Sequence, residues 1–144
     1  MILSPRGLTM IARFEGYRRY VYNDPFNATI GYGHLLHLGK MTALDRIRYA
    51  YGWPPAVALI HLRRDAARAV AAVQTVHRPL DQAQFDALCD FTYNCGSGAL
   101  SELLRGSLPD DLLAWDHAGG VILPGLRTRR EADVTLYKTG KYPT

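Results

Sequence analysis

The chain has 144 residues, with 17 Lys and Arg against 13 Asp and Glu, a formal net charge of +4. The length suits a single domain with one real core. A content of 48% hydrophobic and 21% charged residues excludes a disordered, collagenous or coiled-coil chain, and no apolar run nears the ~18–20 residues of a membrane span.

The basic balance favours an anionic polymer or surface, whether nucleic acid, membrane or cell wall, and equally fits a charge that serves solubility alone. The first twenty residues lack an apolar h-region and a cleavage site, so no signal peptide is expected. Cys89 and Cys95 form no disulfide framework. On one helix they would stand about 9 Å apart along the axis, beyond the ~7 Å reach of a disulfide. They read as reduced thiols.

In chain order, Ser4 caps a first helix and Pro5 suits its first position. Leu8, Ile11, Ala12 and Glu15 share one face, three apolar residues and a carboxylate, and Gly16 ends the helix. Tyr20–Tyr22 reads as a strand, Asn23–Asn27 as a turn and Ala28–His34 as a second strand, with a third short strand near His37–Lys40. Thr42 and Asp45 open a helix in a capping-box pattern that stops near Gly52. Pro55 to about His77 reads as one Ala-rich helix. Asp81 and Gln84 form a second capping box, with Leu80 and Phe85 as a hydrophobic staple, for a helix ending at Gly96. Further helices are expected from Ala99 to Arg105, from Ser107 to Gly119-Gly120, and around Arg127–Tyr137. The pattern is α+β: a small N-terminal hairpin lobe and a larger helical lobe.

Glu15, on the face due for burial, is a candidate general acid, because desolvation raises a carboxyl pKa. It is equally a candidate structural partner for a buried arginine. Asp24 lies in the hairpin turn, exposed and ionised. One buried and one wet carboxylate is the arrangement of glycoside hydrolases, although Asp in such a turn also bonds its own backbone. Thr29 faces the same region if the hairpin folds back, or is simply a β-former. Gly31 and Gly33 leave open backbone against which a flat polymer could lie, and Tyr32 between them offers a ring to a sugar. His34 and His37 lack the helical spacing and glutamate of a zincin, and no nucleophile elbow or phosphate loop occurs, so no metal or cofactor is expected. Arg127, Arg129 and Arg130, the densest basic cluster, could bind phosphate or an anionic wall; a structural role is favoured, pairing with Glu131 and Asp133 on a solvated face, with one arginine a candidate partner for Glu15.

Phe14-Glu15-Gly16, Tyr22-Asn23-Asp24-Pro25 and Thr29-Ile30-Gly31-Tyr32-Gly33-His34 together resemble the catalytic face of phage-type lysozymes, glycoside hydrolase family 24. Leu80–Leu88, Asn94-Cys95-Gly96, Trp115, Ala118-Gly119-Gly120, Gly125-Leu126-Arg127 and Arg129-Arg130 resemble later blocks of the family in the right order, so the likeness spans residues 4 to 138. It implies cleavage of the β-1,4 bond between N-acetylmuramic acid and N-acetylglucosamine in peptidoglycan. It implies Glu15 as general acid, Asp24 and Thr29 placing the attacking water, and inversion at the anomeric centre, with Tyr32, Gly33, His34 and Asn94 binding substrate. It also implies a lysozyme-like catalytic domain over residues 1–144, with a β-containing lobe at about 15–41, a helical lobe at about 42–144 on which helix 4–15 packs, and a cleft between the lobes. One departure matters. The stretch between Asp24 and Thr29 is one residue shorter than the family's usual spacing, and a one-residue slip flips side chains across a strand unless the turn absorbs it. The intact residues from Thr29 to Gly33 predict that it does.

The expected protein is an endolysin without signal peptide, a monomer held in the host cytoplasm until the membrane is permeabilised. It acts on peptidoglycan in the periplasm or cell wall, with no nucleic-acid partner and no stable membrane insertion. The alternative of another class is a non-catalytic wall-binding protein on the same scaffold, since fold alone does not guarantee function. A lytic transglycosylase is disfavoured by the presence of both Glu15 and Asp24, and a nucleic-acid-binding helical domain by the scatter of the arginines.

Overall fold

A computed structural model describes residues 1–144. The chain is α+β and divides into two compact units, Ile11–Asp65 and a second made of Met1–Met10 with Ala66–Thr144. The sequence reading ended the sheet-bearing lobe near residue 41; the compact unit around the sheet also takes in the two helices that follow.

α1 (Pro5–Glu15) begins as expected, with the Ser4 hydroxyl accepting from the Gly7 N–H at 3.0 Å. Leu8, Ile11 and Ala12 are buried, which is what their spacing requires. The sheet is an antiparallel meander of β1 (Arg18–Asp24), β2 (Asn27–Gly31) and β3 (His34–His37). The second strand therefore stops three residues before His34. Tyr32–Gly33 forms a turn, flanked and made possible by the positive φ of Gly31 and Gly33, and the third strand starts at His34 instead of near His37.

Pro25–Phe26 is the two-residue turn between β1 and β2, with Asp24 paired to Asn27, Asn23 to Ala28 and Tyr22 to Thr29. No non-glycine residue has positive φ, so this is not a primed hairpin turn; proline at its first central position presets the backbone instead. The register breaks further back, between Arg18 and Tyr22. There the Arg19 carbonyl leaves the ladder and accepts from the Trp53 N–H at 2.8 Å. On the other side of the hairpin, Asn23 Oδ1 accepts from Met41 N at 2.7 Å and Asn27 Oδ1 from Gly39 N at 3.1 Å. These bonds tie the 38–41 loop to the turn.

α2 (Ala43–Arg48) has the capping box formed by Thr42 and Asp45. The Ala-rich stretch is two helices, α3 (Pro55–Asp65) and α4 (Ala67–Gln74), not one. The break at Ala66 has no glycine or proline to announce it. Asp65, the last residue of α3, turns its carboxylate to His34. α5 (Gln82–Leu103) carries the capping box of Asp81 and Gln84 and joins what reads as two helices across a kink at Gly96, where φ is 88° and ψ 167°. The helix expected from Ser107 to Gly120 is a 3-10 turn at Asp110–Trp115 followed by the hairpin β4 (His117–Ala118) and β5 (Val121–Ile122). Gly119 and Gly120 both have positive φ, the signature of a type I′ turn, so this pair makes a hairpin and not a helix end. α6 (Pro124–Thr139) closes at Gly140 in the left-handed conformation.

Two glycines of the sheet unit differ instructively. A β-carbon on Gly52 (φ +63°) would lie 2.5 Å from the Arg19 carbonyl, whereas one on Gly16 (φ +72°) would meet nothing within 4 Å. Gly16→Ala is expected to cost only the left-handed backbone penalty, about 1–2 kcal/mol. Gly52→Ala is expected to cost clearly more, because it also forces apart the Arg19–Trp53 hydrogen bond. Thermal or urea unfolding of the two variants checks the order; equal losses would contradict it.

Candidate active site

The hairpin register decides which side chains meet. Side chains alternate across a strand, and directly paired residues share a face. Tyr22 and Thr29 are paired, and so are Asp24 and Asn27. All four therefore lie on one face of the hairpin. Asp24 and Thr29 thus lie on the same side of the hairpin across the two-residue turn. Asp24 is exposed at the turn; Thr29 is buried, its hydroxyl donating to the Asn27 carbonyl at 3.2 Å.

Glu15 ends α1 half-buried, less enclosed than the spacing of its helix face predicts. Its Oε2 lies 3.5 Å from where a β-carbon on Gly33 would stand, so the carboxylate rests against bare backbone of the Tyr32–Gly33 turn. The Tyr22 phenol lies within electrostatic reach of both carboxylates. Burial pushes its pKa up, the Asp24 charge adds to that, Arg18 opposes it, and Glu15 raises it further. The Arg18 guanidinium sits 4.5 Å from the Tyr22 ring centroid. Arg18 did not stand out in the sequence, and Tyr22 entered only as part of the Tyr22–Pro25 motif. The signal for Tyr22 is the alternation that places it two residues before Asp24.

Tyr32 packs on Tyr17, ring centroids 5.4 Å apart, and the Tyr17 hydroxyl donates to the Trp53 carbonyl. His34 Nδ1 is 2.8 Å from Asp65 Oδ2. Its ring lies 5.3 Å from Trp53 and 4.9 Å from His61, which stacks on Trp53 at 3.9 Å. Burial lowers the His61 pKa, and the neighbouring His34 and Arg64 charges lower it further. His34 is thus oriented by a carboxylate and an aromatic wall, a setting with no short-range sequence signature. No group of three or more His, Cys, Asp or Glu side chains is arranged to hold a metal ion.

The structure gathers Glu15, Asp24, Thr29, Tyr32, Gly33 and His34 in one compact unit; Asn94 belongs to the other. Asn94 is exposed just before the Gly96 kink, and its Oδ1 accepts from Arg130 Nη2 at 3.2 Å. Arg130 is fully buried. It lies 3.7 Å from Asp90 and 3.3 Å from Asp133, and also donates to the Cys95 sulfur at 3.5 Å. Arg129 grips Asp90 with Nε at 2.8 Å and Nη2 at 2.9 Å, a bidentate pair. Arg127 bonds Asp116 at 2.6 Å and lies 3.6 Å from Glu131. Arg129 and Arg130 are buried among Asp90 and Asp133, whereas the Arg127–Glu131 pair lies on the surface. Both cysteines are free thiols.

Comparison with known proteins places the chain. The phage lysozyme family matches residues 12–133. The chain is 32% identical to an endolysin of Bacillus phage B103 over 98% of its own length and 56% of that protein, so it spans just over half of that relative. It is 30% identical to an endolysin of Acyrthosiphon pisum secondary endosymbiont phage 1, covering 96% of this chain and 99% of the other. Among solved structures, an endolysin from Escherichia coli O157:H7 phage FAHEc1 superimposes with a TM-score of 0.82 at 27% identity, over 100% of this chain and 98% of the other. The muramidase domain of SpmX from Asticaccaulis excentricus superimposes with a TM-score of 0.73 at 29% identity, over 95% of this chain and 97% of the other. The chain belongs to the phage lysozyme family.

Two buried acids, Asp90 and Asp133, share the Arg130 guanidinium. Burial, then the adjacent Asp90 charge, push Asp133 well above the usual carboxylate range, against the pull of Arg130. Asp133→Asn, which mimics the protonated acid, is expected to be mild. Asp90→Asn weakens the partner of two buried guanidinium groups and is expected to cost several-fold more, towards the ~3–5 kcal/mol of a broken buried pair. Denaturant unfolding of the two variants checks this; a reversed order would contradict it.

His37 and Asp45 form a pH-dependent clasp between β3 and α2, Nε2 to Oδ2 2.9 Å. The Leu38 carbonyl, then Asp45, raise the His37 pKa. The Thr42 hydroxyl and N–H, then His37, hold Asp45 down at about 2. The Asp45 contribution to stability is present above the ordinary carboxylate range and is lost as pH falls from about 4 towards about 2. The His37 contribution is full below the ordinary imidazole range and is lost as pH rises through its raised value. In Asp45→Asn the NMR titration midpoint of His37 is expected to move down; an unchanged midpoint would contradict the clasp.

Proposed function

We propose that this chain is a peptidoglycan hydrolase, an N-acetylmuramidase of the endolysin type, working as a single lysozyme-like catalytic domain. The observation that carries the reading is local to the sheet unit: Glu15 rests against bare glycine backbone, and Asp24 and Thr29 share one face of the adjoining hairpin. In this mechanism Glu15 gives its proton to the glycosidic oxygen as the C1–O4 bond breaks. Asp24 accepts a proton from a water that Thr29 helps to place, and the water oxygen bonds C1 from the opposite side, inverting the anomeric centre. Tyr32, Gly33, His34 and Asn94 are the proposed substrate contacts. The Tyr32–Gly33 turn offers backbone and a ring edge to a sugar, and His34 is held by Asp65 for the same purpose.

Family membership supports the activity, and near-complete coverage by the endosymbiont phage endolysin supports the domain assignment. No helix is long and apolar enough to cross a membrane. The proposed setting is that of an endolysin reaching the wall once the membrane has been opened, with peptidoglycan as partner, no nucleic acid, and the monomer as working form.

Turbidity loss of outer-membrane-permeabilised Gram-negative cells, with reducing ends counted on purified peptidoglycan, tests the reading. Glu15→Gln is expected to lose at least about 100-fold in rate with an unchanged unfolding transition. Asp24→Asn and Thr29→Ala are expected to lose rate with KM little altered. Clearing by Glu15→Gln at the wild-type rate would remove Glu15 from the mechanism. Wall binding by the wild type without new reducing ends would move the protein to the non-catalytic class.

A further inference from the structure

α2 is amphipathic in the wrong direction for a helix of a self-contained unit. Its one buried residue is Asp45, while Leu44 and Ile47 are 69% and 74% exposed. Tyr51, one turn on, is 90% exposed, and Leu38, just upstream, is 78% exposed. Leu44 and Ile47, three residues apart on α2, lie on one face of the helix, and Tyr51 follows in the turn that leaves it, after the helix ends at Arg48. The inversion has a cause. Asp45 faces inward because it serves both the Thr42 cap and His37, and that fixes the apolar stripe outward.

The charge around the stripe has one sign. Arg46 and Arg48 flank it, both exposed, and Lys40 precedes it. The only acid between residues 35 and 52 is Asp45, inward and paired. Exposed leucine and isoleucine edged by arginine, with a tyrosine at the border, fit the headgroup boundary of an anionic bilayer. There the apolar side chains leave water, the cations meet lipid phosphate, and an amphipathic ring sits at the interface. An acidic protein partner would need an apolar patch of its own to cover the stripe, whereas an anionic bilayer supplies both features at once. A polysaccharide wall would not draw four large aliphatic and aromatic side chains out of the core.

We propose that the Leu38–Tyr51 surface is a docking site for an anionic phospholipid membrane, bound peripherally and reversibly. The surface contains none of the proposed glycosidase residues, although its 38–41 end bonds to Asn23 and Asn27 beside the hairpin turn, and the proposal does not depend on the glycosidase reading. Its consequence is a protein that concentrates on a membrane face rather than remaining dispersed.

Sedimentation with phosphatidylglycerol-containing vesicles, beside pure phosphatidylcholine vesicles, at physiological ionic strength tests it. Wild type is expected to pellet with the anionic vesicles only. Leu44→Ser/Ile47→Ser is expected to bind about tenfold more weakly or less, while clearing permeabilised cells at the wild-type rate. A Tyr51→Trp variant gives an independent readout: its fluorescence should shift to the blue on anionic vesicles. Wild type left in the supernatant, a double variant that binds undiminished, or a Tyr51→Trp spectrum that does not move would each overturn the proposal. Concentration-dependent self-association lost in the double variant would also overturn it, by assigning the stripe to a second copy of the chain.

Discussion

A two-residue turn holds the proposed chemistry in place. Because Asp24 pairs with Asn27 across Pro25–Phe26, every residue of β1 and β2 near the turn has its face decided, and Asp24, Tyr22 and Thr29 fall together. A slip of one residue would send Thr29 to the opposite side. The register is defended from several directions. Asn23 and Asn27 bind the 38–41 loop, and the far end of β1 is anchored where the Arg19 carbonyl meets the Trp53 N–H. The β1–β2 pairing is irregular only further back, between Arg18 and Tyr22. The site is therefore a property of the hairpin and its supports, with Glu15 brought to it by the end of α1.

The other unit is organised around buried carboxylates. Asp86 gathers the Ser4 N–H and hydroxyl, the Gln82 amide and the Tyr142 hydroxyl, so one fully buried acid ties the N-terminal segment, α5 and the C-terminal segment. Gly7 is needed beside it, since a β-carbon there would lie 2.5 Å from the Asp86 carboxyl carbon. Asp90 plays the same part for Arg129 and Arg130. A buried charge without partners is costly, so these networks specify one packing of α5 and α6, and through Arg130 they orient Asn94.

Much of this was legible along the chain. The capping boxes at Thr42 and Asp81 mark both helix starts, because a short polar side chain followed three residues later by Asp or Gln has a local mechanism. The free state of Cys89 and Cys95 follows from helix geometry, and the family from the order of its motifs. Less legible were features decided at a distance. Nothing local marks the break at Ala66, and Gly119-Gly120 serves a helix end as readily as a hairpin until the flanking residues pair. Glycines at 31 and 33 announced a close approach but not that Tyr32–Gly33 would turn the chain. The setting of His34 is built by Trp53, His61 and Asp65, three residues far away in sequence. The outward stripe of α2 is also a tertiary fact: Asp45 is claimed by His37, and the apolar residues take what is left.

In the proposed mechanism the Glu15 acid and the Asp24 carboxylate act on opposite sides of the scissile bond, with a water between Asp24 and the anomeric carbon. Proton NMR of the first sugar ends released from peptidoglycan, recorded before the anomers equilibrate, tests it most directly. The account predicts that the α-anomer appears first from the β-linked substrate. Initial release of the β-anomer would contradict it, since retention requires a covalent or enzyme-shielded intermediate that this hairpin is not proposed to supply.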